Sequence, residues 1–144
     1  MKSAEVGRLG ERLAEDYLEK RGVRILARNY SVHGGEIDLI GFCRGGLLYI
    51  EVKTRTGSTW GTPAEAIHQE KLRRIERAAK AFARAHVSGG RVPVFYAFGL
   101  RLPRRVKYER IDGVEVYLQP DGSLQKINRI EDMGYEIRQH ARVE

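Results

Sequence analysis

Two apolar stretches within residues 34–56, GGEIDLIGFCRGGLLYIEVKTRT, carry Glu36, Asp38, Glu51 and Lys53 at alternating positions. Strand side chains two apart share a face, so each stretch presents its charges to one side. Carboxylates beside a lysine suit hydrolysis of a phosphodiester: they hold a cation against the phosphate, make water nucleophilic and offset charge on the reacting group. Asp38 and Glu51, with the Val52 carbonyl, are a sufficient oxygen set for Mg²⁺ or Mn²⁺. Lys53 beside them is suited to orienting water or stabilising phosphate charge. The ordinary explanation of Glu51-x-Lys53 is a cross-strand ion pair on an exposed sheet face, and the pair alone does not exclude it.

The turn decides whether these groups meet. Arg44-Gly45-Gly46 separates two strands, residues 36–42 and 47–55. A two-residue Gly45-Gly46 turn sets Asp38 against Lys53 and Ile40 against Glu51, whereas a loop two residues longer sets Asp38 against Glu51. Both registers keep Asp38, Glu51 and Lys53 on one face and leave Ile37, Leu39, Leu48, Ile50 and Val52 on the other. A three-residue loop would split the set unless a bulge restored its parity.

The flanking elements bring further charges. Residues 3 to about 21 have the period of an amphipathic helix, with Val6, Leu9, Leu13, Ala14, Tyr17 and Leu18 on one arc and Gly22 as its stop. Glu11 lies at the margin of that arc, where it either faces solvent or reaches over the sheet. Val23 to Tyr30 reads as a short strand. Thr62-Pro63-Ala64-Glu65 has the form of a capping box opening a second helix to about His86. Ala64, Ile67, Ile75, Ala78 and Phe82 form its apolar stripe; Lys71 projects from the middle of that stripe and His68 from its edge. An inward lysine must either snorkel out or meet a carboxylate or an anion.

Val92 to Leu102 is a third apolar segment, confined by Pro93 to a strand end or sheet edge. The basic run Arg101 to Lys107 reads as a solvated loop. Val106 to Ile111 and Val114 to Leu118 flank Asp112-Gly113, and Pro120-Asp121-Gly122 leads into Leu124 to Ile127, a pattern that predicts a small antiparallel meander. The tail from Arg129 is weakly patterned. The fold class expected is α/β, a mixed sheet of about four or five strands with both helices packed on it.

Length and composition bound the rest. The chain has 144 residues, enough for one domain with its own core. No apolar run approaches the ~20 residues of a membrane-spanning helix, and the first residues lack the pattern of a signal peptide. The expectation is a cytoplasmic protein without a membrane partner. Cys43 is the only cysteine, which excludes an internal disulfide and a thiolate zinc site. Lys and Arg number 26 against 19 Asp and Glu, for a net charge of +7 and a pI of about 9.8. That balance favours a polyanionic partner, nucleic acid foremost.

The order GRLGE (residues 7–11), NY (29–30), GEIDLI (35–40), EVKTR (51–55), GTPAEA (61–66) and Lys71 resembles the YraN-like family of the PD-(D/E)xK nuclease superfamily. That superfamily has the restriction-endonuclease-like fold, and this branch is similar to Holliday-junction resolvases. The resemblance covers roughly residues 5 to 100, leaving 101–144 as a less certain C-terminal extension of one nuclease-like domain. It implies that Glu11, Asp38, Glu51 and Lys53 are catalytic and that Asp38 and Glu51, joined by Glu11, hold Mg²⁺ or Mn²⁺. Glu36 is then an auxiliary ligand or a salt-bridge partner, and Arg55 and Lys71 contact nucleic acid. The implied activity is metal-dependent hydrolysis of DNA, branched or flapped DNA included. The alternative is a silent nucleic-acid-binding module on the same scaffold. By analogy a homodimer is also compatible. The chain departs from the family pattern at Arg91-Val92-Pro93, where an acidic residue is common.

Overall fold

The computed structural model describes residues 2–57 and 69–133. The expected capping box at residues 62–65, together with Ile67 and His68, lies outside the described residues. Helix α1 (Ser3–Lys20) is followed by strands β1 (Arg24–Val32), β2 (Gly35–Cys43) and β3 (Gly46–Thr56). Then come helix α2 (Gln69–His86), the strand pair β4 (Arg91–Phe95) and β5 (Arg101–Arg105), and strands β6 (Tyr108–Leu118) and β7 (Leu124–Ile130). Five strands form one mixed sheet in the order β1-β2-β3-β6-β7, and β4 and β5 form a separate two-stranded sheet. β3 and β6 run parallel; every other pair is antiparallel.

Each helix covers its own apolar cluster. α1 packs Ala14 and Leu18 against Leu39, Leu48, Ile50, Val114, Val116 and Leu118. α2 packs Leu72, Ile75, Ala78 and Phe82 against Ile37, Ile40, Phe42, Tyr49 and Ile111. The alternating residues of β3 thus feed both layers, as strands buried on both faces must. α1 comes close to β3 because position 10 is glycine: a Cβ there would overlap the side chain of Thr54, which faces this helix. The helix stops ahead of Gly22, whose φ of +87° suits glycine and whose N–H donates to the Glu19 carbonyl.

The C-terminal half differs from the sequence expectation. Asp112-Gly113 is not a turn; it lies inside β6, with Ile50↔Asp112 and Glu51↔Gly113 in register. The usual turn preference is overridden because the buried Asp112 is held by Arg110 and Arg129 and accepts the Asp132 N–H. Gly113 has a packing reason as well, since a Cβ there would overlap Met133. The predicted meander is therefore one long strand in the middle of the sheet plus β7. The basic run after Leu100 is likewise a strand, β5, rather than a loop, although all of it is exposed.

Candidate active site

The β2–β3 connection is a two-residue turn, but one step earlier than Gly45-Gly46. Cys43 pairs with Gly46, and Arg44 and Gly45 both have positive φ, 50° and 84°, the conformation of a type I′ hairpin turn. This turn yields the register in which Asp38 stands level with Glu51, reached by displacing the turn and not by lengthening the loop.

The β2–β3 ladder stops at Leu39↔Ile50. One step beyond, the Val52 N–H donates to Asp38 Oδ2 at 2.8 Å, so a side chain takes the donor that a neighbouring backbone would otherwise take. β2 changes face at this level: Leu39 packs on the α1 side and Ile37 on the α2 side, where strict alternation would have put them together. That corrects the expected face of Ile37; Leu39, Leu48, Ile50 and Val52 keep theirs. Across from Asp38, between Arg28↔Leu39 and Tyr30↔Ile37, stands Asn29 with φ of +48°. Asparagine is among the few side chains that tolerate this conformation.

Asp38 consequently interacts with groups from both helix layers, Glu11 of α1 and Lys71 of α2. Glu51 is buried, 6 % exposed, and Lys71 Nζ pairs with its Oε1. The inward lysine therefore meets a carboxylate instead of snorkelling away. Burial pushes the Glu51 carboxyl up to about 7; Asp38 reinforces the rise and Lys71 opposes it. Burial raises Asp38 too, against the hydrogen bonds from Val52 N–H and Glu51. Two acids sharing a hydrogen bond resist ionising together. Glu11 is raised by burial and by Asp38, and the Asn29 side chain hydrogen-bonds its carboxylate.

The remaining sequence-predicted residues divide by exposure. Lys53 is exposed and makes no ion pair or hydrogen bond among the described residues. Glu36 lies 3.8 Å from Arg74 Nη2 in an exposed pair and raises the Asp38 carboxyl. Arg55 is turned toward Glu115, 3.6 Å away with both side chains largely buried, so in this arrangement it is not presented to solvent as a phosphate contact would be. Among the described residues no three acidic, imidazole or thiol side chains gather closely enough to hold a metal ion. The close acids are the pair Asp38 and Glu51, with Glu11 coupled to Asp38.

Sequence reasoning passed over Asn29 and Arg74 as site residues. A lone Asn in β1 was a usable signal for the first, and the i,i+3 spacing from Lys71 for the second. Also among the described residues, no helix is long and apolar enough to cross a membrane.

A five-stranded mixed sheet carrying two helices, with an acid pair where its central hairpin parts, is consistent with a restriction-endonuclease-like fold. The chain belongs to the uncharacterised protein family UPF0102, whose model matches residues 10–116. It is 39% identical over 122 residues to a UPF0102 protein of Symbiobacterium thermophilum, covering 85% of this chain and 90% of the relative. It is 34% identical over 126 residues to one from Caldanaerobacter subterraneus subsp. tengcongensis, covering 87% and 90%. A relative from Caldicellulosiruptor bescii is 33% identical over 132 residues, covering 92% and 98%. The family match runs past residue 100 to Val116 and takes in β5 and most of β6.

Proposed function

We propose that this chain is a divalent-metal-dependent nuclease of the PD-(D/E)xK superfamily that hydrolyses DNA phosphodiester bonds. The observation that carries this reading is the pair of buried Glu51 and half-buried Asp38, whose carboxyls are both raised and whose close cation among the described residues is Lys71. A pair of acids held together without enough positive charge fits a hard cation. Asp38 and Glu51, with the Val52 carbonyl, would hold Mg²⁺ or Mn²⁺, with Glu11 adjoining through Asp38. Bound there, such an ion supplies charge that offsets the phosphate's and makes water a better nucleophile.

The chain's own groups divide the remaining work. Val52 N–H orients Asp38, Lys71 keeps Glu51 closer to ionised, and Asn29 orients Glu11. Lys53, two residues along β3 from Glu51 and exposed, is free to meet a phosphate oxygen or the attacking water. The net charge of +7 draws the polyanion to the surface.

One observation favours a second reading, a nucleic-acid-binding module that no longer cuts: the Glu51–Lys71 ion pair partly satisfies the site without a metal. Cleavage assays on linear, flapped and four-way DNA with Mg²⁺ and Mn²⁺ separate the two. The nuclease reading expects cutting that Glu51→Ala abolishes. It also expects Lys53→Met to slow cutting by ~10²–10³ while preserving DNA affinity and the thermal midpoint. Wild type that binds and cuts nothing with either metal leaves the module; Lys53→Met cutting at the wild-type rate reduces Lys53 to a surface charge.

A further inference from the structure

The segment 91–107, RVPVFYAFGLRLPRRVK, holds Arg91, Arg101, Arg104, Arg105 and Lys107 and no acidic residue. None of these cations makes an ion pair among the described residues. The segment is the β4–β5 hairpin. Val92 and Val94 anchor it in the α2-side core, while every residue of β5 is exposed. At its tip Phe98 is 100% exposed with φ of +67°, a conformation that bulky residues seldom adopt. Phe95 and Leu100 are also exposed.

Guanidinium groups lie over the hairpin's rings. Arg101 is 4.2 Å from the Phe95 centroid and Arg104 is 5.2 Å from that of Tyr96. Arg104 Nε also donates to the Tyr96 hydroxyl at 3.0 Å, and Arg24 of β1 approaches the same ring at 4.9 Å. Flat, weakly hydrated cations beside an exposed ring such as Phe98 suit single-stranded nucleic acid: phosphates meet the arginines and an unpaired base stacks on the ring.

The prolines argue against another occupant, a second copy adding a strand. Pro93 and Pro103 are register partners. Neither has an N–H to exchange, so the donors they lack are those that would point outward from the hairpin. The free edge of β5 thus has no donor at its centre, and recognition there must come from side chains.

We infer that the β4–β5 hairpin is an arm that binds unpaired nucleotides, with Phe98 stacking on a base and Arg101, Arg104 and Arg105 on the phosphates. This rests on the reading of the protein as one that acts on nucleic acid, and it narrows the substrate to DNA with a single-stranded part. The arm's base adjoins Gly45, whose carbonyl accepts the Lys107 N–H, while Arg24 of β1, the register partner of Phe42, reaches Tyr96 at the far end of β4. Phe42 lies four residues along β2 from Asp38, about 13 Å at ~3.3 Å per residue.

The test uses the full chain in EDTA, so binding is read without cleavage. Fluorescence anisotropy compares an oligothymidine strand, a flapped duplex and a blunt duplex. Phe98→Ala is expected to weaken the strand and the flap by about 5- to 150-fold, the worth of one base–aromatic stack, and the blunt duplex by less than about 2-fold. Phe98→Trp restores the loss. Arg101→Gln/Arg105→Gln lowers the single-strand salt slope by ~0.7 for each phosphate contact removed. Equal effects on all three DNAs, or none, overturn the arm. So does a change in sedimentation from dimer to monomer in Phe98→Ala, or loss of binding to anionic vesicles alone; these would make the tip an interface between copies or a lipid contact. If wild type cuts nothing but these binding differences hold, the nuclease reading fails and the arm stands. Cutting that ignores Phe98 while binding is equally unaffected does the reverse.

Discussion

Replacing Glu51 by Gln should make the metal-free protein more stable at pH 8 and leave it nearly unchanged at pH 4.5. The Glu51 carboxyl rises from an ordinary 4.5 to about 7 on folding. Between those values the folded protein keeps a proton that the unfolded chain has released, so stability falls as pH rises through the window. At about 1.4 kcal/mol per pH unit, the full loss is about 3 kcal/mol, an upper bound because Asp38 shares the proton. The side chain is 6 % exposed, so solvent screens little of it. A loss of that size is a sizeable part of the ~5–15 kcal/mol that holds a domain folded. Gln has the shape of the protonated acid and carries no charge to desolvate. Urea unfolding in EDTA at half-unit steps from pH 4.5 to 8.5 measures the difference between the two proteins. It should grow toward about 3 kcal/mol between pH 4.5 and 7 and then level off. Parallel profiles across the range would show that the acids do not strain one another and would remove the main support for a cation site.

Mn²⁺ or Mg²⁺ should raise the wild-type thermal midpoint by mass action and leave Asp38→Ala/Glu51→Ala unmoved; equal calorimetric binding to both proteins would exclude the pair as ligands. Lys71→Ala should move the Glu51 titration higher still, because the ion pair that holds it down is gone; carbonyl-edited NMR of Glu51 with an unshifted midpoint would contradict the pairing. Gly10→Ala should destabilise by ~1–3 kcal/mol through overpacking against the stiff Thr54 side chain, read as a lower urea midpoint. An unchanged midpoint would mean that α1 does not sit this close to β3.

Some of this was legible in the sequence for physical reasons. α1 was readable because Ala14 and Leu18 recur at helical spacing and Gly22 supplies a stop. The acid pair was readable because charges alternate through otherwise apolar strands. The register was less so: Arg44-Gly45 and Gly45-Gly46 are both acceptable turns, and the choice rests on packing of whole strands. Asp112-Gly113 misled because turn preference is local, whereas its place in β6 depends on β3, on Arg129 of β7 and on Met133. The face change at Asp38 was invisible for the same reason, since it needs Asn29 opposite and the end of a ladder. Lys71 was placed on the inward face by periodicity alone, but its partner lies twenty residues away on a different element.

The parallel pairing of β3 with β6 has a consequence for how this chain can change. Parallel neighbours cannot be joined by a tight turn, so everything between Thr56 and Tyr108 is a long return path, and both α2 and the β4–β5 hairpin are carried on it. The acid pair, by contrast, is contained in the β2–β3 hairpin, its two members thirteen positions apart in the chain. Lengthening, shortening or re-sequencing the tip between Phe95 and Arg101 leaves the β3–β6 register untouched, because that register is held by eleven paired residues on each strand. The tip is thus a place where insertions can be tried in the laboratory, and where lineages can diverge while the acidic hairpin stays as it is.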